Sequence, residues 1–198
     1  MPMHAIHDMH GISPISTPGP QVLPSARYTR TAVWLHWLLA AALLGQIAFG
    51  FVLDEIAPRA TPERSGVVNL HKSLGIVLGL LIAVRLGWRL SHPPPPWPAT
   101  MGEAERRAAR AMHAALYVCM AVMPLSGYIA SNFIRFGISF FGIALPPWGP
   151  PLPSVYAFFQ GVHLTTAVVF SALIVGHVLA ALKHAVLDRD GVFARMLN

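Results

Sequence analysis

Four long apolar stretches, separated by polar or proline-rich segments, dominate the pattern of residues along the chain. They cover approximately residues 31–53, 67–90, 108–131 and 157–183, and none of them contains Asp or Glu. A helix needs about 20 apolar residues to cross a hydrocarbon core of roughly 30 Å, and each stretch meets that length. The pattern predicts an all-α integral membrane protein whose four helices form one bundle.

The segments outside these stretches predict the domain organisation. Residues 1–26 are rich in Pro, Gly, Ser and His and have no apolar core, so we expect a disordered cytoplasmic tail ahead of a single four-span domain, 27–198. The second stretch ends at SHPPPPWP (91–98), where four prolines stop the helix. Segment 132–154 is apolar and aromatic but broken by Pro and Gly, so we expect it to cover one end of the bundle.

Composition and charge agree with a membrane protein. Hydrophobic residues make up 55% of the chain and charged residues 11%, less than half of what soluble domains carry. The formal charge of +6 could suggest a nucleic-acid partner, but most basic residues flank the apolar stretches, as membrane topology requires. We therefore expect contact with the lipid bilayer and none with nucleic acid.

The positions of Lys and Arg predict the orientation. With four spans, the N-terminus, the loop after the second span and the C-terminus share one side, which carries ten basic residues against four on the other. The excess of positive charge places both termini in the cytoplasm. We call this side the inner end of the bundle and the opposite side the outer end.

Histidines within the apolar stretches are the candidate chemical groups. His163 and His177 are fourteen residues apart, which places them about 21 Å apart along one helix and on nearly the same face. One metal ion cannot use both. His36 matches His177 in depth, which gives an inner pair, and His71 matches His163, which gives an outer pair.

A histidine pair that faces across a bundle core can hold a six-coordinate haem iron. The alternative is that the four histidines only form hydrogen bonds between helices, but each imidazole would then be a cost in the membrane without a function. Glycines on the first two spans leave room either for close helix packing or for a flat macrocycle; they are Gly45, Gly50, Gly75 and Gly79.

Three other histidines fit a deep site less well. His92 precedes the proline run and is expected in water, and His113 follows Arg110 so closely that we expect it near the surface. His184 shares a face with His177 but adjoins the membrane boundary, so it remains an alternative inner ligand. His113 and His184 are also the candidates for a quinone contact.

At these residues the chain resembles the bacterial cytochrome b561 family. The resemblance runs from about Arg27 to the C-terminus, and the fourteen-residue histidine spacing is its most specific element. Its motifs are RYTRTAVWLHWL, NLHKSLGIVLGLLIAVRLGWRL, MHAALYVCMAVMPLSGY and GVHLTTAVVFSALIVGHVLAALKH. It implies a multi-pass protein of the bacterial inner membrane, a four-helix bundle with two b haems in its core. This family is related to the cytochrome b subunits of hydrogenases and formate dehydrogenases.

The resemblance also implies the ligands and the activity. Carried over by position, one haem b falls to His36 and His177 and the other to His71 and His163. Haem propionates need cationic partners. The alternative is that the same basic residues only set the membrane topology or contact lipid headgroups. The candidates are Arg27, Arg30, Arg85 and Lys183 at the inner end and Lys72 and Arg135 at the outer end.

The leading hypothesis is a dihaem b-type cytochrome that transfers electrons across the inner membrane between an outer-side donor and ubiquinone or another quinone. One alternative is a superoxide oxidase that passes electrons from superoxide to ubiquinone; another is the haem-bearing anchor of a larger dehydrogenase or hydrogenase. A proton or metal transporter is disfavoured because the spans lack acidic residues. A near-neutral outer surface weighs against superoxide collection.

Overall fold

A computed structural model describes residues 27–98 and 100–197, so the predicted tail, 1–26, lies outside the described residues. The helices are α1 (Arg30–Ile56), α2 (Arg64–Ser91), α3 (Glu103–Ser131) and α4 (Pro153–Lys183). Each is long and apolar enough to cross a membrane. The predicted all-α membrane bundle of four helices is confirmed for the described part of the chain.

Local signals in the sequence set the ends of the helices. The side chain of Thr29 accepts a hydrogen bond from the backbone N–H of Ala32, 3.2 Å away, and so caps the start of α1. At the end of α2 the chain leaves the helix at His92, immediately before the prolines. Pro153 occupies the first position of α4, where its missing N–H costs nothing.

The packed core lies midway between the two ends of the bundle. Phe170 is its centre, with only 1% of its surface exposed, and it lies seven residues from both His163 and His177. The other buried residues of this core come from the first three helices; they are Leu39, Leu78, Ile82, Cys119 and Met120. The core therefore separates the inner histidine pair from the outer one.

The segment expected to cover one end of the bundle contains a β-hairpin docked on the outer end of α2. Its strands, β1 (Ile138–Phe140) and β2 (Ile143–Leu145), pair antiparallel. The Asn69 side-chain oxygen accepts a hydrogen bond from the Ser139 N–H at 3.0 Å, and Lys72 Nζ donates to the Gly137 carbonyl at 3.1 Å. The sequence did not predict the strands, because they are held in place by polar side chains of α2, which lie far away along the chain.

At the inner end, the chain after α4 folds back over the bundle. It forms a π-helical turn, His184–Asp188, and a 3₁₀ turn, Phe193–Met196. The Trp37 indole N–H donates to the carbonyl of Met196 at 2.6 Å, and the Arg195 guanidinium donates to the carbonyl of Pro96 at 2.7 Å. These bonds tie the C-terminal segment to α1 and to the proline-rich loop.

Candidate functional site

The inner histidine pair joins the first and last helices of the bundle. The ring centres of His36, on α1, and His177, on α4, lie 6.4 Å apart, with 68° between the ring planes. A metal ion binds an imidazole nitrogen at about 2 Å, so two rings on one ion have their centres roughly 6 Å apart. The rings therefore stand at a distance that one metal ion between them would span.

The outer pair has nearly the same spacing. The ring centres of His71, on α2, and His163, on α4, lie 6.3 Å apart, with 86° between the ring planes. Glycine backbone faces both rings: a Cβ on Gly50 would lie 3.1 Å from His71 Cε1, and one on Gly127 would lie 3.0 Å from His163 Nδ1. A side chain at either glycine would push its ring aside, so these positions leave room for the imidazoles.

Hydrogen bonds to the ring nitrogens differ among the four histidines. His163 Nδ1 lies 2.9 Å from the carbonyl oxygen of Met123, which can only accept, so Nδ1 carries the proton and Nε2 is free to bind a metal. His71 Nδ1 is buried and has no hydrogen-bond partner in the described part of the chain. His163 is thus oriented for ligation by its own surroundings, and His71 is not.

Arg85 stands beside the inner pair. Its guanidinium lies 3.3 Å from His36 Nδ1 and donates to the Ala32 carbonyl at 3.1 Å. A histidine that binds iron through Nε2 keeps its proton on Nδ1 and needs an acceptor there rather than a donor. Ligation by His36 would therefore release Arg85 from the ring and leave its charge free for an anionic group nearby.

A cavity opens from the inner pair towards the end of the bundle. The empty space between its walls, including the open mouth, is about 1100 Å³. Arginines and aromatic rings line it beside the two histidines; they are Arg85, Arg89, Arg195, Tyr28, Trp88, Trp97 and Tyr117. Two imidazoles, a basic mouth and aromatic walls fit an iron macrocycle with acidic substituents.

His113 lies at this cavity, not near the surface as the sequence suggested. Its ring centre is 5.4 Å from that of His177 and 6.5 Å from that of Trp97. The expectation was wrong because it took Arg110 as the membrane boundary, whereas α3 begins at Glu103 and the proline-rich loop folds over its first turns. The tryptophan in that loop was no signal for this contact, because tryptophan is common at membrane–water interfaces.

His184 points away from the inner pair. Its Nδ1 lies 2.7 Å from an Asp190 oxygen and 3.2 Å from an Asp188 oxygen. The adjacent Lys183 donates to Asp188 at 2.6 Å and to Glu105 at 3.1 Å. Both side chains hold the C-terminal segment and neither lines the cavity, so the structure favours His177 over His184 beside His36.

The remaining cationic candidates are spread over both ends. Arg30 is exposed at the first residue of α1, as is Arg27 before it. Lys72 is held under the hairpin by the Gly137 carbonyl, and Arg135 is exposed. Of the candidates for a propionate partner, only Arg85 lines the inner cavity.

Comparison with known proteins places the chain among membrane cytochromes. A family model described as prokaryotic cytochrome b561 matches residues 27–198. Cytochrome b561 homolog 2 of Escherichia coli (strain K12) is 33% identical over 178 residues, 87% of this chain and 92% of the relative. Cytochrome b561 homolog 1 of the same strain is 26% identical over 181 residues, 86% and 97% of the two chains. A probable superoxide oxidase CybB of Yersinia pestis is 28% identical over 174 residues, 86% and 96%.

Proposed function

Because the chain belongs to the prokaryotic cytochrome b561 family, we propose that it is a dihaem b-type cytochrome that carries electrons between an outer-side donor and a membrane quinone. Membrane electron transfer and the use of haem b follow from the family. The number of haems, the donor and the quinone are the proposed part. The observation that supports two haems is the presence of two histidine pairs with ring centres 6.4 Å and 6.3 Å apart, at opposite ends of one bundle.

In this proposal His36 with His177 would hold one haem, and His71 with His163 would hold the other. Haem b would supply a one-electron couple at each site. The helices hold the rings at fixed depth, and the core around Phe170 excludes water between the two sites. Arg85, and at the two ends Arg30 and Lys72, are the proposed cationic partners of the propionates.

The two sites are about 21 Å apart along α4, on the fourteen-residue spacing of its histidines. An electron that enters at one end can therefore leave at the other without any large movement of the bundle. We place both termini in the cytoplasm of the bacterium because of the excess of Lys and Arg at the inner end. The donor then acts on the outer side.

The test uses the purified chain in proteoliposomes that contain ubiquinone. We expect a reduced-minus-oxidised spectrum of low-spin b haem, a haem count close to two per chain, and oxidation of the reduced protein by the quinone. A count near zero would overturn the cytochrome proposal. Two haems that the quinone cannot oxidise would overturn the quinone as partner and favour an anchor subunit that passes electrons to another protein.

Superoxide oxidation is the second candidate, because one relative is named a probable superoxide oxidase. Collection of a small anion needs free positive charge at the outer end. Arg59 and Arg64 both form ion pairs with Asp54, and Lys72 donates to a hairpin carbonyl. This engagement of three of the four outer cations weighs against an electrostatic funnel.

Pulsed superoxide separates the two candidates. We compare haem reduction in the parent and in Lys72→Gln with Arg135→Gln, at low and at high ionic strength. Slow reduction that is insensitive to salt and to the substitutions supports a different donor. Near-diffusion-limited reduction that salt screens and the double substitution abolishes establishes superoxide as the donor.

A further inference from the structure

Two buried polar atoms without a partner belong to neighbouring residues at the outer site. Among the described residues, only Gln46 Oε1, His71 Nδ1 and Arg106 Nε are buried side-chain nitrogen or oxygen atoms that form no hydrogen bond. The first two belong to residues in direct contact, since Gln46 Nε2 donates to the carbonyl oxygen of His71 at 2.7 Å. Buried polar groups are normally paired, so two orphans in one contact require an explanation.

A coordinating histidine explains both atoms. Ligation through Nε2 leaves a proton on Nδ1, and metal-bound histidines almost always donate that proton to an acceptor. His163 already has one in the Met123 carbonyl. The α1 neighbours of the His71 ring are Phe49, with ring centres 5.5 Å apart, and Gly50. Neither side chain can accept a hydrogen bond, whereas Gln46 Oε1 can.

We propose that Gln46 is a positioning residue for His71, an inference that rests on the proposed function. When His71 is an axial ligand, Gln46 Oε1 accepts the hydrogen bond from His71 Nδ1–H while Gln46 Nε2 stays on the His71 carbonyl. One amide thus holds the same residue at its backbone and at its ring. The amide is already next to this histidine, because its nitrogen donates to the His71 carbonyl.

The packing around the amide supports this role. A Cβ on Gly75, one turn after His71 on α2, would lie 3.7 Å from Gln46 Nε2, so α2 presents bare backbone where the amide lies. Gln46 lies in the middle of α1, between the apolar neighbours Gly45 and Ile47. A polar side chain at that depth is costly unless it is paired. With both hydrogen bonds to His71, its nitrogen and its oxygen would each have a partner.

The consequence concerns the outer haem alone. An acceptor on Nδ1–H makes a histidine a more basic ligand and stabilises the oxidised iron. Without the acceptor, the midpoint potential of the outer haem rises and its affinity falls, typically by 10–100-fold for a lost contact of this kind. The inner haem serves as the control in the same molecule, since its ligands do not contact Gln46.

Two variants of the full-length, haem-loaded protein test the proposal. Gln46→Met keeps the length of the side chain and removes both the donor and the acceptor, whereas Gln46→Glu restores an acceptor oxygen. We expect Gln46→Met to raise the outer midpoint potential in a redox titration and to speed loss of the outer haem, with the inner haem unchanged. Gln46→Glu, which keeps an acceptor oxygen but loses the donor to the His71 carbonyl, should hold the outer haem better than Gln46→Met, with an outer potential at or below that of the parent.

Two results would overturn the proposal: an unchanged midpoint potential of the outer haem in Gln46→Met, or a Gln46→Glu variant that behaves like Gln46→Met. Gln46 would then be only a packing contact between α1 and α2. Circular dichroism of both variants checks the fold. If Gln46→Met does not fold, the comparison of Gln46→Glu with the parent decides by the direction of the outer potential. The proposed function is tested separately, because it would be contradicted by a parent protein that binds no haem.

Discussion

His36 and His177 face each other across the inner end of the bundle, with ring centres 6.4 Å apart, although they lie on the first and last of its four helices. The same spacing recurs between His71 and His163 at the outer end. The bundle therefore has two separate sites. The inner site is formed by α1 and α4, and the outer site by α2 and α4.

Removal of one ligand from each pair should abolish haem binding. We expect the double variant His36→Ala with His71→Ala to bind close to no haem, because a single remaining imidazole at each site supplies only one axial bond. Haem per chain is measured by the pyridine haemochrome assay on a protein whose helix content is verified. A variant that still binds two haems would show that the iron ligands lie elsewhere.

Substitution at His177 and at His184 should have different effects. His177→Ala removes a ring of the inner pair and should cost one haem, whereas His184→Ala should leave both haems bound because that ring is bonded to Asp190. The readout is the haem count together with the spectrum of the remaining haem. Loss of a haem in His184→Ala only would reverse the ligand assignment.

A methyl group at Gly127 should disturb the outer site. A Cβ there would lie 3.0 Å from two atoms of the His163 ring, so Gly127→Ala must displace the ring. We expect the affinity for the outer haem to fall by about tenfold or more, the usual cost of disturbing a metal ligand through its surroundings. The matched control is Gly161→Ala, where a Cβ meets nothing within 4 Å; equal loss in both variants would point to helix packing instead.

Truncation of Phe170 should destabilise the bundle. The ring is fully buried in the core, and Phe→Ala changes in packed cores cost about 3–5 kcal/mol in the free energy of unfolding. Phe158→Ala on the same helix is the control, because that ring is 65% exposed and its loss leaves no cavity. Unfolding in mixed micelles gives both values, and similar values for the two variants would contradict the assignment of the core.

Ser73 should govern how tightly the hairpin docks. Its hydroxyl, fully buried, accepts from the Phe141 N–H at 3.0 Å and lies 2.7 Å from the Asn69 carbonyl and 3.2 Å from the Ser139 carbonyl. Ser73→Ala removes the acceptor of the Phe141 N–H, and a hydrogen bond of this kind contributes about 0.5–1.5 kcal/mol to stability. Amide hydrogen exchange of the hairpin should speed up. The control is Ser171→Ala, which loses only a hydrogen bond within α4 and should leave the exchange rate of the hairpin amides unchanged. If the hairpin amides of Ser73→Ala exchange as slowly as those of the parent, Ser73 does not dock the hairpin.

Much of the fold follows from sequence because helix geometry is regular. The apolar stretches predict the four helices, with each helix extending several residues beyond its stretch where polar residues such as Arg64 and Glu103 continue the turns. Depth along a helix is a fixed function of residue number, so the pairing of His36 with His177 and of His71 with His163 could be predicted by counting. Their role as iron ligands stays a prediction.

What the sequence alone determined is therefore what repeats along one helix: the spans, the depth of each histidine and the shared face of His163 and His177. Only the tertiary structure decided the environment of each ring, since that depends on residues far apart in the chain. The proline-rich loop brings Trp97 over His113, Asp190 takes His184 away from the inner site, and Gln46 on α1 reaches the backbone of His71 on α2. Counting along a helix gives no information about such contacts, because they arise from how helices and loops pack against one another.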